Sequence, residues 1–420
     1  MKKFCTYNLG CKVNAYELSA ISSLLLKEGF VEDSNNPDVV IINTCSVTAT
    51  ADQKSRQHIR KMQKLFPNAV IAVMGCYSQG NYKFIEEEIK PTILLGTSHR
   101  RDVVELVKQA LESKENKTII EENTRKFDYE ELGITSYSEN VRAFLKIQDG
   151  CNNFCTYCIV PYRRGKMRSR QKENVIKEAE YLVKQGYQEI VLSGIHVGGY
   201  GQDLENCSFS SLVEELTNIK GLKSLRISSI EESEIDDKLI ELIQTKDNLA
   251  KHLHIPLQSG SNHVLKMMNR KYTREQFIAR IKQIKSLVPN VMISGDVIVG
   301  FPQESEEDFM DSYNLCEECF DMLHVFPYSI RPGTAAAKMD GQISPEVKKE
   351  RSKKLLELSD RLYHKYASGF IGQDVTVLIE KYDEKQQVFI GHTSNYLEVK
   401  IPMESKVGEY KTVKLQKDMI

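Results

Sequence analysis

Between residues 3 and 328, short apolar runs alternate with helical windows, and that alternation restricts the fold of the 420-residue chain more than any other feature. Continuous apolar strands separated by helices must be covered on both faces, which indicates parallel sheets. In the first part, strands are predicted over 3–8, 38–44, 69–75 and 92–96, with helices over 16–28, 51–65 and 101–111. Residues 113–138 are polar, lose their periodicity and read as a linker. From residue 141 the pattern resumes, with strands over 143–148, 189–193, 222–228, 252–257, 292–299 and 322–328. Helical windows fall near 172–185, 208–218, 235–245, 273–287 and 305–319. Six β/α units are fewer than the eight of a closed barrel, so a partial (β/α)6 barrel is expected. A charged helix over 345–370 leads to strands over 375–380, 387–393, 396–401 and 411–415, the texture of a small all-β barrel. The expected fold class is therefore α/β: a doubly wound parallel-sheet domain (1–112), a linker (113–138), a partial barrel with its connecting helix (139–370) and a β tail (371–420).

No apolar run approaches the ~20 residues of a membrane span, and no secretory signal is read, so a cytoplasmic protein without membrane contact is expected. Lys plus Arg number 57 and Asp plus Glu 58, a balance that neither demands nor forbids nucleic acid. Phosphate affinity would have to come from local cations. Three groups stand out: Lys54, Arg56, Arg60, Lys61 and Lys64; Arg100 and Arg101; Arg163, Arg164, Lys166, Arg168 and Arg170. Each is also compatible with an ordinary solvated face.

Ten cysteines in a long chain of this kind argue for metal or redox chemistry rather than a disulfide framework. Cys151, Cys155 and Cys158 follow a predicted strand and the turn Asp149-Gly150. Three thiolates can ligate three irons of a [4Fe–4S] cubane and leave the fourth open to the amino and carboxylate groups of S-adenosylmethionine. Zinc is the competing reading, but it usually needs four ligands at paired spacing, and no fourth Cys or His lies close by in the sequence. If the barrel forms, its chemistry should collect where strands end. Ser193-Gly194-Ile195-His196, Ser228-Ser229, His254 to Gly260 and Asp296 to Pro302 occupy those tips. Ser193, Gly194, Ser228, His254, Gln258 and Asp296, with the aromatic Tyr157 just before the last cysteine, are the candidate cofactor contacts.

Cys11, Cys45 and Cys76 are widely spaced, yet each lies just beyond a predicted strand. The carboxyl ends of parallel strands share one edge, where ligands bind, so three thiolates should converge there. A second [4Fe–4S] cluster with a free iron, a zinc site completed by His or Asp, and three independent core cysteines all fit that pattern. Cys5 and Cys207 lack such company, and Cys316-x2-Cys319 lies in a helical window and reads as packing.

The sequence Cys-Asn-Asn-Phe-Cys-Thr-Tyr-Cys at 151–158 matches the radical-SAM signature. Together with Leu9-Gly10-Cys11-Lys12-Val13-Asn14, Asn43-Thr44-Cys45-Ser46-Val47-Thr48, Gly75-Cys76-Tyr77 and Gly165-Lys166-Met167-Arg168-Ser169-Arg170, it makes the chain resemble the methylthiotransferases. The stretches 254–261 and 295–302 add to the likeness. Isopentenyladenosine tRNA enzymes usually carry Gln-Met-Asn where this chain has Lys12-Val13-Asn14, which favours the threonylcarbamoyladenosine tRNA branch. The resemblance implies two [4Fe–4S] clusters, on Cys151, Cys155 and Cys158 and on Cys11, Cys45 and Cys76, with S-adenosylmethionine as cofactor. It implies a TRAM-like RNA-binding tail and a radical methylthiolation at carbon 2 of an adenosine in the tRNA anticodon stem-loop. An electron donor, a sulfur donor and a monomeric enzyme complete the expectation. Methylthiolation of isopentenyladenosine or of a ribosomal-protein aspartate, and a non-catalytic metal-stabilised RNA-binding protein, are the rival readings.

Overall fold

The inner strands of the amino-terminal sheet, at 39–44, 70–75 and 93–95, are buried on both faces because helices cover both. A computed structural model describes residues 1–113, 115–133, 141–402 and 404–420. The stretch 134–138 of the expected linker, and residues 139 and 140 after it, lie outside the described residues. Strands β1 (Lys3–Asn8), β2 (Val31–Glu32), β3 (Val39–Thr44), β4 (Val70–Gly75), β5 (Ile93–Leu95) and β6 (Lys117–Ile119) form one parallel sheet in the order β2-β1-β3-β4-β5-β6. Helices α1 (Lys12–Lys27) and α4 (Val103–Ser113) bury Ile21, Leu25, Leu106 and Val107 against one face, with Val39, Ile41 and Ala72. Helices α2 (Ala49–Leu65) and α3 (Cys76–Phe84) cover the other, where Ile59, Met62 and Tyr77 meet Val40, Ile42 and Val73. Alternate residues of β3 thus serve opposite cores, the signature of a doubly wound sheet. Residues 117–119, read from sequence as linker, pair with β5 as the edge strand. Three residues at an edge are too few to show a period.

The second sheet begins with β7 (Arg142–Lys146), and the ladder of β8 (Gln148–Asp149) with β9 (Arg168–Ser169) encloses the next loop. Short α5 (Val160–Arg164) ends that loop, and α6 (Lys172–Lys184) follows β9. Strands β10 (Glu189–Ser193), β11 (Ser224–Ile227), β12 (His252–His254), β13 (Met292–Val299) and β14 (Met322–Pro327) then alternate with helices α7 (Phe209–Thr217), α8 (Asp237–Thr245), α9 (Asn262–Met267), α10 (Arg274–Leu287) and α11 (Glu306–Cys319). Parallel pairing gives two three-stranded segments, β11-β10-β7 and β12-β13-β14. Parallel bridges Leu225↔Leu249 and Ser229↔His254 join them, so six strands follow one another round an open barrel. One large apolar core lies between its wall and the outer helices; Cys316 and Cys319 are buried within it.

Helix α12 (Pro345–Ser368), capped by the Ser344 hydroxyl, packs on β14 and leads to the tail. There β15 (Asp374–Asp383), β16 (Val388–Thr393), β17 (Glu398–Ile401) and β18 (Tyr410–Lys414) form an antiparallel sheet in the order β17-β16-β15-β18, consistent with a small barrel. The tail meets the barrel at the amino-terminal ends of its strands. Arg142 pairs with Glu189 and with Glu380 of β15. Arg226 donates to the Ser394 and Thr393 carbonyls at 3.2 and 3.3 Å, and its guanidinium lies 5.0 Å from the Tyr396 ring, on which His252 stacks at 4.6 Å. Among the described residues, no helix is long and apolar enough to cross a membrane.

Candidate active site

Topology brings the three amino-terminal cysteines together. Cys11 precedes α1 just after β1, Cys45 follows β3, and Cys76 opens α3 just after β4. The register pairs Asn8 with Asn43 and Thr44 with Gly75, so the three strands end at one level. Helices α1 and α2 leave β1 and β3 on opposite faces, which opens a crevice between those strands, the usual ligand site of such sheets. Gly75 has φ +106, and a Cβ there would lie 2.5 Å from the Thr44 carbonyl oxygen, so glycine is required for the turn into Cys76. Asn14 straps the loops together, donating to Asn43 Oδ1 at 2.8 Å and to the Thr44 carbonyl at 3.1 Å, while its Oδ1 lies 3.3 Å from Cys11 Sγ. Burial pushes the Cys45 thiol up to about 11, with Cys76 and Cys11 close enough to add to the rise. Burial raises Cys76 as well, Cys11 adding and Arg164 opposing. Arg164 Nε donates to Cys76 Sγ at 3.2 Å.

The central cysteines owe their grouping to one loop between β8 and α5. Gly150 has φ +72, and a Cβ there would strike the Lys166 carbonyl oxygen at 1.9 Å, so the chain turns tightly into Cys151. The loop is fixed by Cys158 N–H to the Cys155 carbonyl at 2.9 Å and by Thr156 Oγ1 to the Met267 carbonyl at 2.8 Å. The Asn153 amide donates to Cys151 Sγ at 3.4 Å, and Arg270 Nη1 approaches Cys155 Sγ at 3.6 Å. Burial pushes the Cys158 thiol up to about 12, with Cys155 and Cys151 adding. Burial disfavours a charged His196, but hydrogen bonds to Cys151 and Glu234 outweigh it and raise the imidazole to about 10.

A cavity of about 240 Å³ opens beside Cys158. Val47 and Thr48, just after Cys45, line one side; Tyr157, Cys158, Gln258, Asp296 and Arg331 line the other. Gln258 holds φ +64, fixed by its N–H to the Asp296 carbonyl at 2.8 Å and by its own carbonyl, which accepts from Ile298 at 2.9 Å. His254 Nε2 and His324 Nδ1 face Asp296 Oδ1 at 3.1 and 3.4 Å. Burial alone would raise Asp296, but those two imidazoles hold it well below the usual carboxylate range. His254 Nδ1 contacts Ser294 Oγ at 3.0 Å, and the same oxygen meets His252 Nε2 at 2.7 Å. Ser193, Gly194 and Ser228 end their strands as expected but do not line this cavity. Ser193 and Ser228 are buried, and a Cβ on Gly194 would stand 3.0 Å from Gln148 Oε1.

Sequence reasoning misses an ionic cluster that joins the two groups. Glu17 of α1 and Asp149 of β8 are fully buried, and Lys146 Nζ bridges them at 2.9 and 2.7 Å. Arg164 Nη1 reaches both, at 2.8 and 3.1 Å, while Arg100 and Arg168 add contacts of 3.2 Å to Glu17 and 3.3 Å to Asp149. Burial alone would raise both carboxyls; the surrounding cations outweigh it and hold them well below their ordinary values. This corrects the reading of two basic runs as phosphate-binding surface. Arg100, Arg164, Arg168 and Arg170 are at most 6 % exposed, and Arg170 is taken by Glu131 and Glu178, each at 2.7 Å. Of the expected cations, Lys54, Arg60, Lys61 and Lys64 on α2, with Arg101 and Lys166, stay exposed. The partners of the buried arginines come from distant segments, so nothing local to the runs announces them.

Residues 145–316 match the radical SAM superfamily, and residues 3–96 match a family described as uncharacterized protein family UPF0004. The threonylcarbamoyladenosine tRNA methylthiotransferase MtaB of Bacillus subtilis is 45% identical over 98% of this chain and 93% of its own length. Its Aquifex aeolicus namesake is 34% identical over 96% and 97%. A tRNA-2-methylthio-N(6)-dimethylallyladenosine synthase of Acetivibrio thermocellus is 36% identical over 93% and 84%. Among solved structures, the radical S-adenosylmethionine methyltransferase TsrM from Kitasatospora setae, with cobalamin and a [4Fe–4S] cluster bound, superposes with a TM-score of 0.60 at 13% identity, covering 80% of this chain and 77% of that one. That likeness concerns the fold. Membership of the superfamily implies a [4Fe–4S] cluster and S-adenosylmethionine. With identity sustained over nearly its whole length, the chain belongs to the radical-SAM methylthiotransferases, in the threonylcarbamoyladenosine tRNA branch.

Proposed function

We propose that this chain replaces the hydrogen on carbon 2 of N6-threonylcarbamoyladenosine, next to the anticodon of tRNA, by a methylthio group. The observation that carries the reading is a cavity lined by Tyr157, Cys158, Gln258 and Asp296 together with Val47 and Thr48, which follow Cys45, in a chain 45% identical to a protein named for this reaction. Cys151, Cys155 and Cys158 would hold the cluster that binds S-adenosylmethionine, and Cys11, Cys45 and Cys76 a second [4Fe–4S] cluster. When bound, the first supplies the electron that releases a 5′-deoxyadenosyl radical from S-adenosylmethionine, and the second offers iron to a sulfur species.

The donor sets suit clusters better than zinc. Each trio supplies three thiolates, the usual ligands of an iron–sulfur cluster, whereas a structural zinc site takes four. Tyr157, Gln258 and Asp296 line the space where S-adenosylmethionine would lie; His254 orients Asp296, while Ser193, Gly194 and Ser228 shape the rim behind. An aromatic C–H bond is strong and non-acidic, so abstraction by a radical succeeds where a general base would fail. The adenosine must leave its stack to enter the cavity, as single-stranded RNA loops allow.

In this reading the chain divides as 1–112 for the second cluster, 139–370 for the radical chemistry and 371–420 for RNA. The exposed cations of α2 and the tail sheet hold the anticodon stem-loop. An electron donor and a sulfur donor act with a cytoplasmic, monomeric enzyme. Mass spectrometry of tRNA nucleosides from cells with and without the gene tests the proposal. The expected result is loss of 2-methylthio-N6-threonylcarbamoyladenosine with its unthiolated parent left behind. Loss of the isopentenyl counterpart, or of methylthio-aspartate from ribosomal protein, overturns it.

A further inference from the structure

Arg331 lies in the loop after β14, only 4 % exposed, and lines the cavity together with Val47, Thr48 and Ser329. The residue ties the two domains at this wall. Its Nη2 donates to Ser46 Oγ at 2.9 Å and to Asp52 Oδ2 on α2 at 2.7 Å, while the Ala49 amide donates to Ser329 Oγ at 3.1 Å. The Thr334 amide and hydroxyl donate to the Arg331 carbonyl at 3.1 and 2.8 Å, so the backbone is fixed as well.

A guanidinium presents N–H donors on all its nitrogens, and here only Nη2 finds partners. Nε and Nη1 donate to nothing among the described residues, and Nε is buried. A buried donor without an acceptor is destabilising, and a ligand oxygen would satisfy it. Arg163 of α5 adds a second charge to this junction, with Arg331 and Asp52 inside its electrostatic reach. A Cβ on Gly80 of α3 would lie 1.9 Å from Arg163 Cζ, so the guanidinium sits against bare backbone. It has no hydrogen bond or ion pair among the described residues. Two arginines therefore share one carboxylate, Asp52, while the Asp296 carboxylate of the cavity is already faced by His254 and His324. The excess positive charge favours the arrival of an anion.

The proposed substrate brings one. An adenosine drawn out of its stack carries a backbone phosphate on either side, and its threonylcarbamoyl group ends in a carboxylate. All of these are ionised at neutral pH. We propose that Arg331 is a substrate-binding residue whose free nitrogens take an oxyanion of the RNA, a phosphate flanking the target or the threonylcarbamoyl carboxylate. The inference deepens the functional reading above and rests on it. Charge-assisted hydrogen bonds from arginine to either group are among the stronger polar contacts, and a site built for one discriminates against the neutral analogue.

The test uses reconstituted enzyme and anticodon stem-loop RNAs carrying N6-threonylcarbamoyladenosine, either unaltered or neutralised at one place. One neutralised RNA has methylphosphonates for the phosphates flanking the target, and the other has the threoninamide analogue of the modified base. The wild type should lose about 10- to 100-fold in kcat/KM on at least one of them, the scale of one hydrogen bond to a charged group. Arg331→Gln should abolish that penalty, chiefly through a raised KM for the unaltered RNA, and the penalty that disappears identifies the oxyanion. Asp52→Asn, which loosens the tie between the domains but leaves the free nitrogens of Arg331, should keep the wild-type discrimination. Iron content and 5′-deoxyadenosine formed without RNA should not change in either variant. Full discrimination in Arg331→Gln overturns the proposal, as does a wild type indifferent to both neutralisations. Loss of discrimination in Asp52→Asn as well, or a fall in iron or in 5′-deoxyadenosine, makes Arg331 a structural tie or a cofactor contact and overturns it too. A wild type that modifies none of these RNAs sinks the reading of the substrate, and this inference with it.

Discussion

The two groups of thiols are assembled by opposite means. Cys151, Cys155 and Cys158 share one loop, and a single tight turn at Gly150 with a few hydrogen bonds suffices to cluster them. Cys11, Cys45 and Cys76 come from three loops, and only the common level of β1, β3 and β4 unites them. A local motif survives wherever its loop survives. A distributed one is a property of the whole sheet, sensitive to strand register and to straps such as Asn14. Between them lies the buried cluster of Glu17, Lys146, Asp149 and Arg164, which ties α1 to β8 and so fixes one group against the other.

The largest effects should separate the groups by function. Cys155→Ala is expected to abolish both 5′-deoxyadenosine and the methylthio product, whereas Cys45→Ala abolishes only the latter, as chromatography of both products would show. Each variant should lose about four irons per chain after anaerobic reconstitution. A Cys45→Ala enzyme that still methylthiolates at the normal rate would mean that the distributed trio has no part in the reaction.

Arg164→Met strikes what the groups share. It leaves Glu17 and Asp149 short of a buried counter-charge and frees Cys76 from its donor, so unfolding by urea should show a loss of about 3–5 kcal/mol. A loss below about 1 kcal/mol, the scale of an exposed pair, would show that the two domains are not coupled through this cluster.

The smallest effects should fall outside both groups. Changing Lys54, Arg60, Lys61 or Lys64 to Ser one at a time should weaken tRNA binding several-fold. Each should also lower the slope of log K against log salt by about 0.7–0.9, the value for one lost phosphate contact. An unchanged slope would remove α2 from the RNA-binding surface.

The sequence discloses the parts of this molecule that repeat or cluster along the chain. Apolar runs locate the strands of both sheets closely, because strands buried on two faces have no polar alternation to blur them. The positions of Cys11, Cys45 and Cys76 after strands foretell their meeting, since parallel strands leave little choice of edge. Strand β6 escapes notice because three edge residues carry almost no pattern. The arginines at 100, 164, 168 and 170 are misjudged for a deeper reason: charge is visible in a sequence, but a buried partner is not. Glu17 looks like any helix residue until the fold sets it against Arg164. Ser193 and Ser228 stand at strand ends, where the sequence puts them, but both are buried and neither lines the cavity, because the depth of a side chain depends on neighbouring strands.

The seating of the tail on the barrel floor bears on how deletion experiments are to be understood. Arg142, Arg226 and His252 are stoppered from below by Glu380, the Thr393 and Ser394 carbonyls and the Tyr396 ring. Cutting the chain before residue 371 would pull that plug and let water flood the bore from the end opposite the chemistry. An inactive truncated enzyme would then report a leaking vessel as much as a lost grip on RNA, and only substitutions on the outward side of the tail can tell the two apart.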